Sequence, residues 1–252
     1  MTNKLKYFIG NWKMFGDFGS FRIINKINKY AIKSQSKGRK KIILCVPNIL
    51  IHFFKKKLKH KLISIGAQNC DHYENYGPFT GSVSASMLKK MGAQYIILGH
   101  SENRKEGETY QTIRKKIISV LNQKMYVIFC IGENYKDKKM GKTFTVLKNQ
   151  IKKSISKGFK KDKIILAYEP VWSIGTNRLP KNYELEKIVK FIKINFKNFF
   201  KTKKLPTVLY GGSVNPKNIK SLSSIKEIDG FLIGSASQSA KKFIDIIKNY
   251  YK

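Results

Sequence analysis

The stretch Ile164-Ile165-Leu166-Ala167-Tyr168-Glu169-Pro170-Val171-Trp172-Ser173-Ile174-Gly175-Thr176 joins a short apolar run to a turn that opens on a carboxylate and a proline. The run Ile164–Tyr168 is continuously apolar where a half-exposed strand would alternate, so the element it forms is covered on both faces. On either side of it the same kind of run recurs every few tens of residues: Tyr7–Gly10, Ile42–Val46, Ile63–Gln68, Tyr95–Leu98, Tyr126–Ile131, Thr207–Tyr210 and Phe231–Ile233. Between these lie amphipathic stretches with apolar residues three or four apart, among them Phe18–Ile32, Tyr110–Leu121, Thr143–Ile155, Tyr183–Phe199 and Phe243–Tyr250. Strands alternating with helices imply a parallel sheet. Eight such units favour its closed form, a (β/α)8 barrel, over an open doubly wound sheet.

The chain has 252 residues, which suits one domain in which eight strand–helix units share a core. No Pro- or Ser-rich linker divides residues 1–252, and the only compositional bias is toward lysine, whose short clusters such as Lys55-Lys56-Lys57 read as solvated helix ends. The hydrophobic fraction of 42% allows a sizeable core. No run approaches the roughly 18–20 apolar residues a membrane span needs, so no membrane partner is expected. The polar start Met1–Lys6 leads straight into Tyr7-Phe8-Ile9-Gly10, without the apolar region of an export signal. Cys45, Cys70 and Cys130 lack C-x-x-C spacing and lie in or beside apolar runs. Reduced, buried thiols and a cytoplasmic location are expected.

Fifty-one Lys and Arg against 15 Asp and Glu give a formal charge of +36. Such a charge ordinarily suggests a polyanion partner, but the lysines are spread along the whole chain and arginines are few: Arg22, Arg39, Arg104, Arg114 and Arg178. Heavy joint use of Lys, Asn, Ile, Phe and Tyr is what drift toward A/T-rich codons produces on a tolerant surface. No specific nucleic-acid partner is expected. The positive field would draw in a dianionic substrate and hold nucleic acid weakly at low salt.

In a barrel the chemistry sits where strands end. The runs end in Gly10-Asn11-Trp12-Lys13, Gly99-His100-Ser101-Glu102, Gly132-Glu133, Tyr168-Glu169-Pro170, Tyr210-Gly211-Gly212-Ser213 and Gly234-Ser235-Ala236-Ser237. They supply a cation, an imidazole, a carboxylate and small-residue turns whose N–H groups can approach an anion closely. Taken singly, Glu169 reads as a surface carboxylate beside a proline, and Lys13 as one lysine among many. His52, His60 and His72 read as packing or capping histidines.

Taken together, the strand ends resemble the triosephosphate isomerase family. The segments that carry the resemblance are Gly10-Asn11-Trp12-Lys13, Gly66-Ala67-Gln68-Asn69, Phe79-Thr80-Gly81, Gly99-His100-Ser101-Glu102, Tyr168-Glu169-Pro170-Val171-Trp172 and Tyr210-Gly211-Gly212-Ser213, in order across almost the whole chain. The resemblance implies an α/β, single-domain (β/α)8 TIM barrel that interconverts dihydroxyacetone phosphate and D-glyceraldehyde 3-phosphate through an enediolate, with no cofactor and no metal. It also implies roles. Glu169 is the base, His100 a neutral hydrogen-bond donor at a helix start, and Lys13 the cation beside the developing oxyanion. Asn11 and Glu102 support that network, and Glu133 is structural. Phosphate is expected on backbone N–H groups of Gly175, Ser213, Gly234 and Ser235. Pro170–Thr176 resembles a closing lid, with Tyr210 and Ser213 as its latch. A homodimer follows from the Gly77–Gly81 loop with Thr80 at its tip, which resembles the segment that inserts beside a neighbour's Lys13.

Three departures stand out. Ser235 occupies a position usually held by glycine, which requires that its backbone avoid positive φ. Asn177-Arg178-Leu179-Pro180 differs from the family's glycine-lysine lid end. Ser82 and Asn103 stand where relatives often carry a glutamate and an arginine that pair between subunits, so an expected intersubunit ion pair is lost whole. Two other functions compete with the isomerase: a barrel enzyme using the same phosphate cup on another sugar phosphate, and a catalytically idle barrel that binds nucleic acid through its charge.

Overall fold

Eight parallel strands close on themselves in chain order: Lys6–Asn11 (β1), Lys40–Cys45 (β2), Ile63–Ala67 (β3), Tyr95–Leu98 (β4), Tyr126–Ile131 (β5), Ile164–Tyr168 (β6), Thr207–Tyr210 (β7) and Gly230–Ile233 (β8). The computed structural model describes residues 4–58, 62–158, 161–176 and 178–252. His60 and Asn177 lie outside the described residues. β1 pairs with β8 through Tyr7↔Gly230 to Gly10↔Ile233, which closes the ring. Gly230 permits that closure, since a Cβ there would sit 2.1 Å from the Tyr7 carbonyl oxygen.

The continuous apolar runs are explained by two cores sharing one sheet. Along β1, β2 and β6, Ile9, Ile43, Ile165 and Ala167 point into the barrel, where they meet Ile97, Ile128 and Leu232. Their neighbours Phe8, Leu44, Leu166 and Tyr168 point outward, into the layer beneath the helices with Ile24, Ile113, Val189 and Phe243. Beyond their first one or two residues both faces of the strands are therefore dry, as a barrel filled with side chains requires.

The helices begin and end where local chemistry directs. Ser84, Thr109, Asn134 and Ser239 cap the starts of helices Ala85–Met91, Tyr110–Asn122, Tyr135–Lys139 and Ala240–Tyr250, each accepting a backbone N–H on its side-chain oxygen. The expected helix Phe18–Ile32 is two elements. Asp17 caps a 3-10 turn, Phe18–Ser20, and the α-helix proper spans Phe21–Lys33. Helices Asn48–Lys57, Ala85–Met91, Ser101–Lys105, Tyr135–Lys139 and Ile219–Ser223 come in addition to the five amphipathic stretches. Lys55, Lys56 and Lys57 form a last helical turn, as expected. Cys45, Cys70 and Cys130 are buried free thiols, and burial pushes the first two well above the ordinary thiol range. Among the described residues no helix is long and apolar enough to cross a membrane.

Candidate active site

The strands deliver the expected side chains to one end of the barrel. Asn11, Lys13, His100, Glu169, Gly175, Gly211, Gly212, Ser213, Gly234 and Ser235 line a single cavity of about 1000 Å³, and Asn11, Lys13, His100 and Glu102 also border a second of about 260 Å³.

Glu169 follows β6 directly and is 3% exposed. Two glycines hold it there. A Cβ on Gly132 would lie 1.8 Å from the Glu169 carbonyl oxygen, and one on Gly211 would lie 2.7 Å from its Cγ. Its Oε1 stands 3.5 Å from His100 Nε2, and its Oε2 has no hydrogen-bond partner among the described residues. Burial pushes the carboxyl above the ordinary glutamate range, offset in part by His100, the Cys130 thiol and Lys13. A carboxylate desolvated in this way is a stronger base than one in water.

His100 is the N-cap of the helix Ser101–Lys105. The short helix matters less than one hydrogen bond: His100 Nδ1 accepts the Glu102 backbone N–H at 3.2 Å. An imidazole nitrogen that accepts carries no proton, so in the neutral ring Nε2 bears the hydrogen, and it is Nε2 that faces Glu169.

Lys13 adopts a left-handed backbone, φ 56°, with its N–H donated to Asn11 Oδ1 at 3.1 Å. Its ammonium lies 2.5 Å from Glu102 Oε1. Burial pushes the Glu102 carboxyl up, but the Lys13 ammonium and His100 outweigh it and hold the group below its usual range. Asn11 thus accepts the backbone N–H of Lys13, and Glu102 contacts both Lys13 and His100. The left-handed strain at a non-glycine residue carried no signal in the sequence.

The segment after Glu169 is a 3-10 turn, Val171–Ser173, leading to Gly175 at φ +71°. Tyr210 OH lies 3.1 Å from Ser173 Oγ, and the Ser173 hydroxyl donates to the Arg178 carbonyl. Tyr210 therefore holds this segment, and Ser213 lines the cavity beside it. Below the turn, buried Glu133 accepts from Trp172 Nε1 at 2.8 Å and from Tyr168 OH at 3.1 Å. Its carboxylate ties the turn Val171–Ser173 to β6. Two aromatic donors from different elements converge on it, which sequence spacing does not reveal.

Ser235 begins a 3-10 turn, Ser235–Gln238, and is not among the positive-φ residues, so its Cβ is tolerated. Gly234 faces open space. Lys217, Gln238 and Lys242 complete the rim and were not anticipated. Thr80 is exposed at its loop tip, next to Gly81 at φ +81° and to Phe79, which stacks on Tyr73. Ser82 donates to Asp71 at 2.6 Å, and Asn103 borders the smaller cavity. Among the described residues no group of three or more His, Cys, Asp or Glu is placed to hold a metal ion.

Residues 6–250 match the triosephosphate isomerase family. Among curated relatives, the triosephosphate isomerase of Dictyoglomus turgidum is 36% identical over 97% of this chain and 99% of its own length. That of Aquifex aeolicus is 37% identical over 95% and 97%. The crystal structure of the triosephosphate isomerase from Bartonella henselae superposes with a TM-score of 0.87 at 32% identity, covering 98% of this chain and 99% of the other. Agreement over the full barrel, at this identity and with the strand-end residues gathered on one cavity, leaves a single assignment: this chain belongs to the triosephosphate isomerase family.

Proposed function

We propose that this chain interconverts dihydroxyacetone phosphate and D-glyceraldehyde 3-phosphate, the reaction that family membership brings to glycolysis and gluconeogenesis, with Glu169 as the base that moves the proton. One observation carries the assignment of roles: a buried, underpaired carboxylate faces the donor nitrogen of a tautomer-fixed imidazole at 3.5 Å, on a cavity that also receives the Lys13 ammonium.

Glu169 takes a proton from the hydroxymethyl carbon of the ketose. The C–H electron pair becomes the new carbon–carbon double bond as the carbonyl pair moves onto oxygen. The Nε2–H of His100 and the Lys13 ammonium stabilise that oxygen, a proton passes to it from the neighbouring hydroxyl oxygen, and as that hydroxyl oxygen's pair forms the aldehyde carbonyl the carboxylic acid returns its proton to the carbon that bore the ketone. Asn11 and Glu102 position Lys13. Backbone N–H groups of Gly175, Ser213, Gly234 and Ser235 receive the phosphate, and the lid Pro170–Thr176 excludes water. No metal or cofactor takes part in this scheme.

The chain works as a cytoplasmic homodimer, supported by the exposed Thr80 loop and by the Asn-rich cavity beside Lys13, which is lined by Asn48, Asn69 and Asn103. With Ser82 occupied by Asp71, no orphaned charge results from the loss of the usual intersubunit pair. A coupled assay tests the reading. Purified protein is expected to turn over glyceraldehyde 3-phosphate and to be inhibited competitively by a phosphorylated glycolate. Absence of turnover, with activity on another sugar phosphate from a panel, would overturn it. Light scattering tests the dimer.

A further inference from the structure

Lysines stand over aromatic rings at many places on this surface, and in most the ammonium is 4.7 Å or more from the ring centroid. Lys138 differs. Its Nζ is 3.6 Å from the centroid of Trp172, the shortest such approach among the described residues. Trp172 is no ordinary surface ring, since it belongs to the 3-10 turn Val171–Ser173 that follows Glu169. The edge of the indole is fixed by its hydrogen bond to Glu133 at 2.8 Å, and the backbone N–H of Val171 donates to the Glu133 carbonyl at 3.0 Å. Glu133 therefore restrains one edge of the ring and Lys138 one face. A planar group held at edge and face has lost both its sliding and its tilting freedom.

Lys138 is itself placed from two sides. It lies on the short helix Tyr135–Lys139, whose start Asn134 caps at 2.8 Å, and its ammonium stands 3.9 Å from Glu184 Oε2 on the helix Asn182–Phe200. A cation over a tryptophan face is attracted by the ring quadrupole, an interaction that strengthens as the pair loses water.

Resting on the reading of Glu169 as the base, we propose that Lys138 is a positioning residue for the lid: held against the face of Trp172, its ammonium keeps the indole edge on Glu133 and so keeps the hinge, and Glu169 with it, aimed at the reacting carbon. It touches no substrate.

The test combines steady-state kinetics with tryptophan emission on the intact protein. Lys138→Met keeps the length of the side chain and removes the charge. Its kcat is expected to fall about three- to tenfold with KM changed less than about twofold, as loss of an exposed to partly desolvated cation–π contact implies. Lys138→Arg, which restores a cation over the ring, is expected to return kcat to within about twofold of the starting protein. The Trp172 contribution to emission, taken as the difference from Trp172→Leu, should shift in Lys138→Met and recover in Lys138→Arg. In a Trp172→Leu background, Lys138→Met should have no further effect on kcat. Wild-type kcat in Lys138→Met, or an equal loss in both backgrounds, would overturn the proposal. Thermal melts of each variant separate a hinge effect from unfolding. Emission does not depend on turnover, so an inactive wild-type protein would sink the isomerase reading and leave the contact independently measured.

Discussion

At the N-terminal end of the barrel Asp229 is buried among partners. Lys193 lies 2.9 Å from its Oδ2, the Val208 N–H donates to the same oxygen at 2.9 Å, and Lys4 sits 2.6 Å from Oδ1. Lys193 donates also to the Glu227 carbonyl at 2.6 Å, and Lys6 donates to the Ile228 carbonyl. At the C-terminal end Glu169 is equally buried, yet among the described residues one of its oxygens has no hydrogen-bond partner and the other faces the His100 imidazole at 3.5 Å. Both carboxylates are out of water. Asp229 has two ammonium groups within 2.9 Å, although its Oδ1 makes no hydrogen bond among the described residues, whereas Glu169 makes no lysine or arginine ion pair there; a buried charge so weakly compensated stays reactive while costing stability. The contrast teaches where the barrel's structure ends and its chemistry begins.

Substitution at the catalytic end should give the largest effect. Glu169→Gln is expected to lower kcat on the order of 10³- to 10⁴-fold in the coupled assay, because the proton acceptor is gone. Its melting temperature should be unchanged or higher. The folded-state carboxyl titrates above its ordinary range, so ionising it costs stability as pH rises through that raised value. Glu169→Gln should therefore gain most on the native protein above that pH, with the gap closing as pH falls. A lower melting temperature at neutral pH would break the comparison.

Lys193→Met should do the opposite. With Asp229 left without its buried ammonium partner and facing the exposed Lys4 and the Val208 N–H, urea unfolding is expected to show a loss of roughly 3–5 kcal/mol, with kcat per folded molecule unchanged. A smaller effect is expected from pH alone. The acid limb of kcat/KM, which reports the free enzyme, should fall at a higher pH than a solvent-exposed glutamate would give, since Glu169 must be ionised to act. A limb in the ordinary carboxylate range would show Glu169 to be better solvated than its burial indicates. The smallest effect should come from Ser235→Gly. The backbone there is already right-handed, so KM is expected to change by less than about twofold, measured with glyceraldehyde 3-phosphate.

The sequence by itself determined the barrel. Runs such as Ile164–Tyr168 are apolar at every position, and only a strand with cores on both sides can bury them. It also determined which side chains meet, because each strand end carries a distinct residue type and parallel closure brings all eight ends to one rim. That Glu169, His100 and Lys13 share a rim was legible for that reason, while their roles were legible only through the resemblance of the strand-end segments to a known family. What the tertiary structure alone decided is how they are tuned: the tautomer of His100, set by the Glu102 N–H; the left-handed turn at Lys13; and Glu133 and Lys138 gripping Trp172. Each of these joins groups through a distance or an angle between separate elements, and spacing along the chain encodes neither. A charge's partners likewise exist only after folding, so Asp229 and Glu169 look alike as letters and differ only once water has been removed from both.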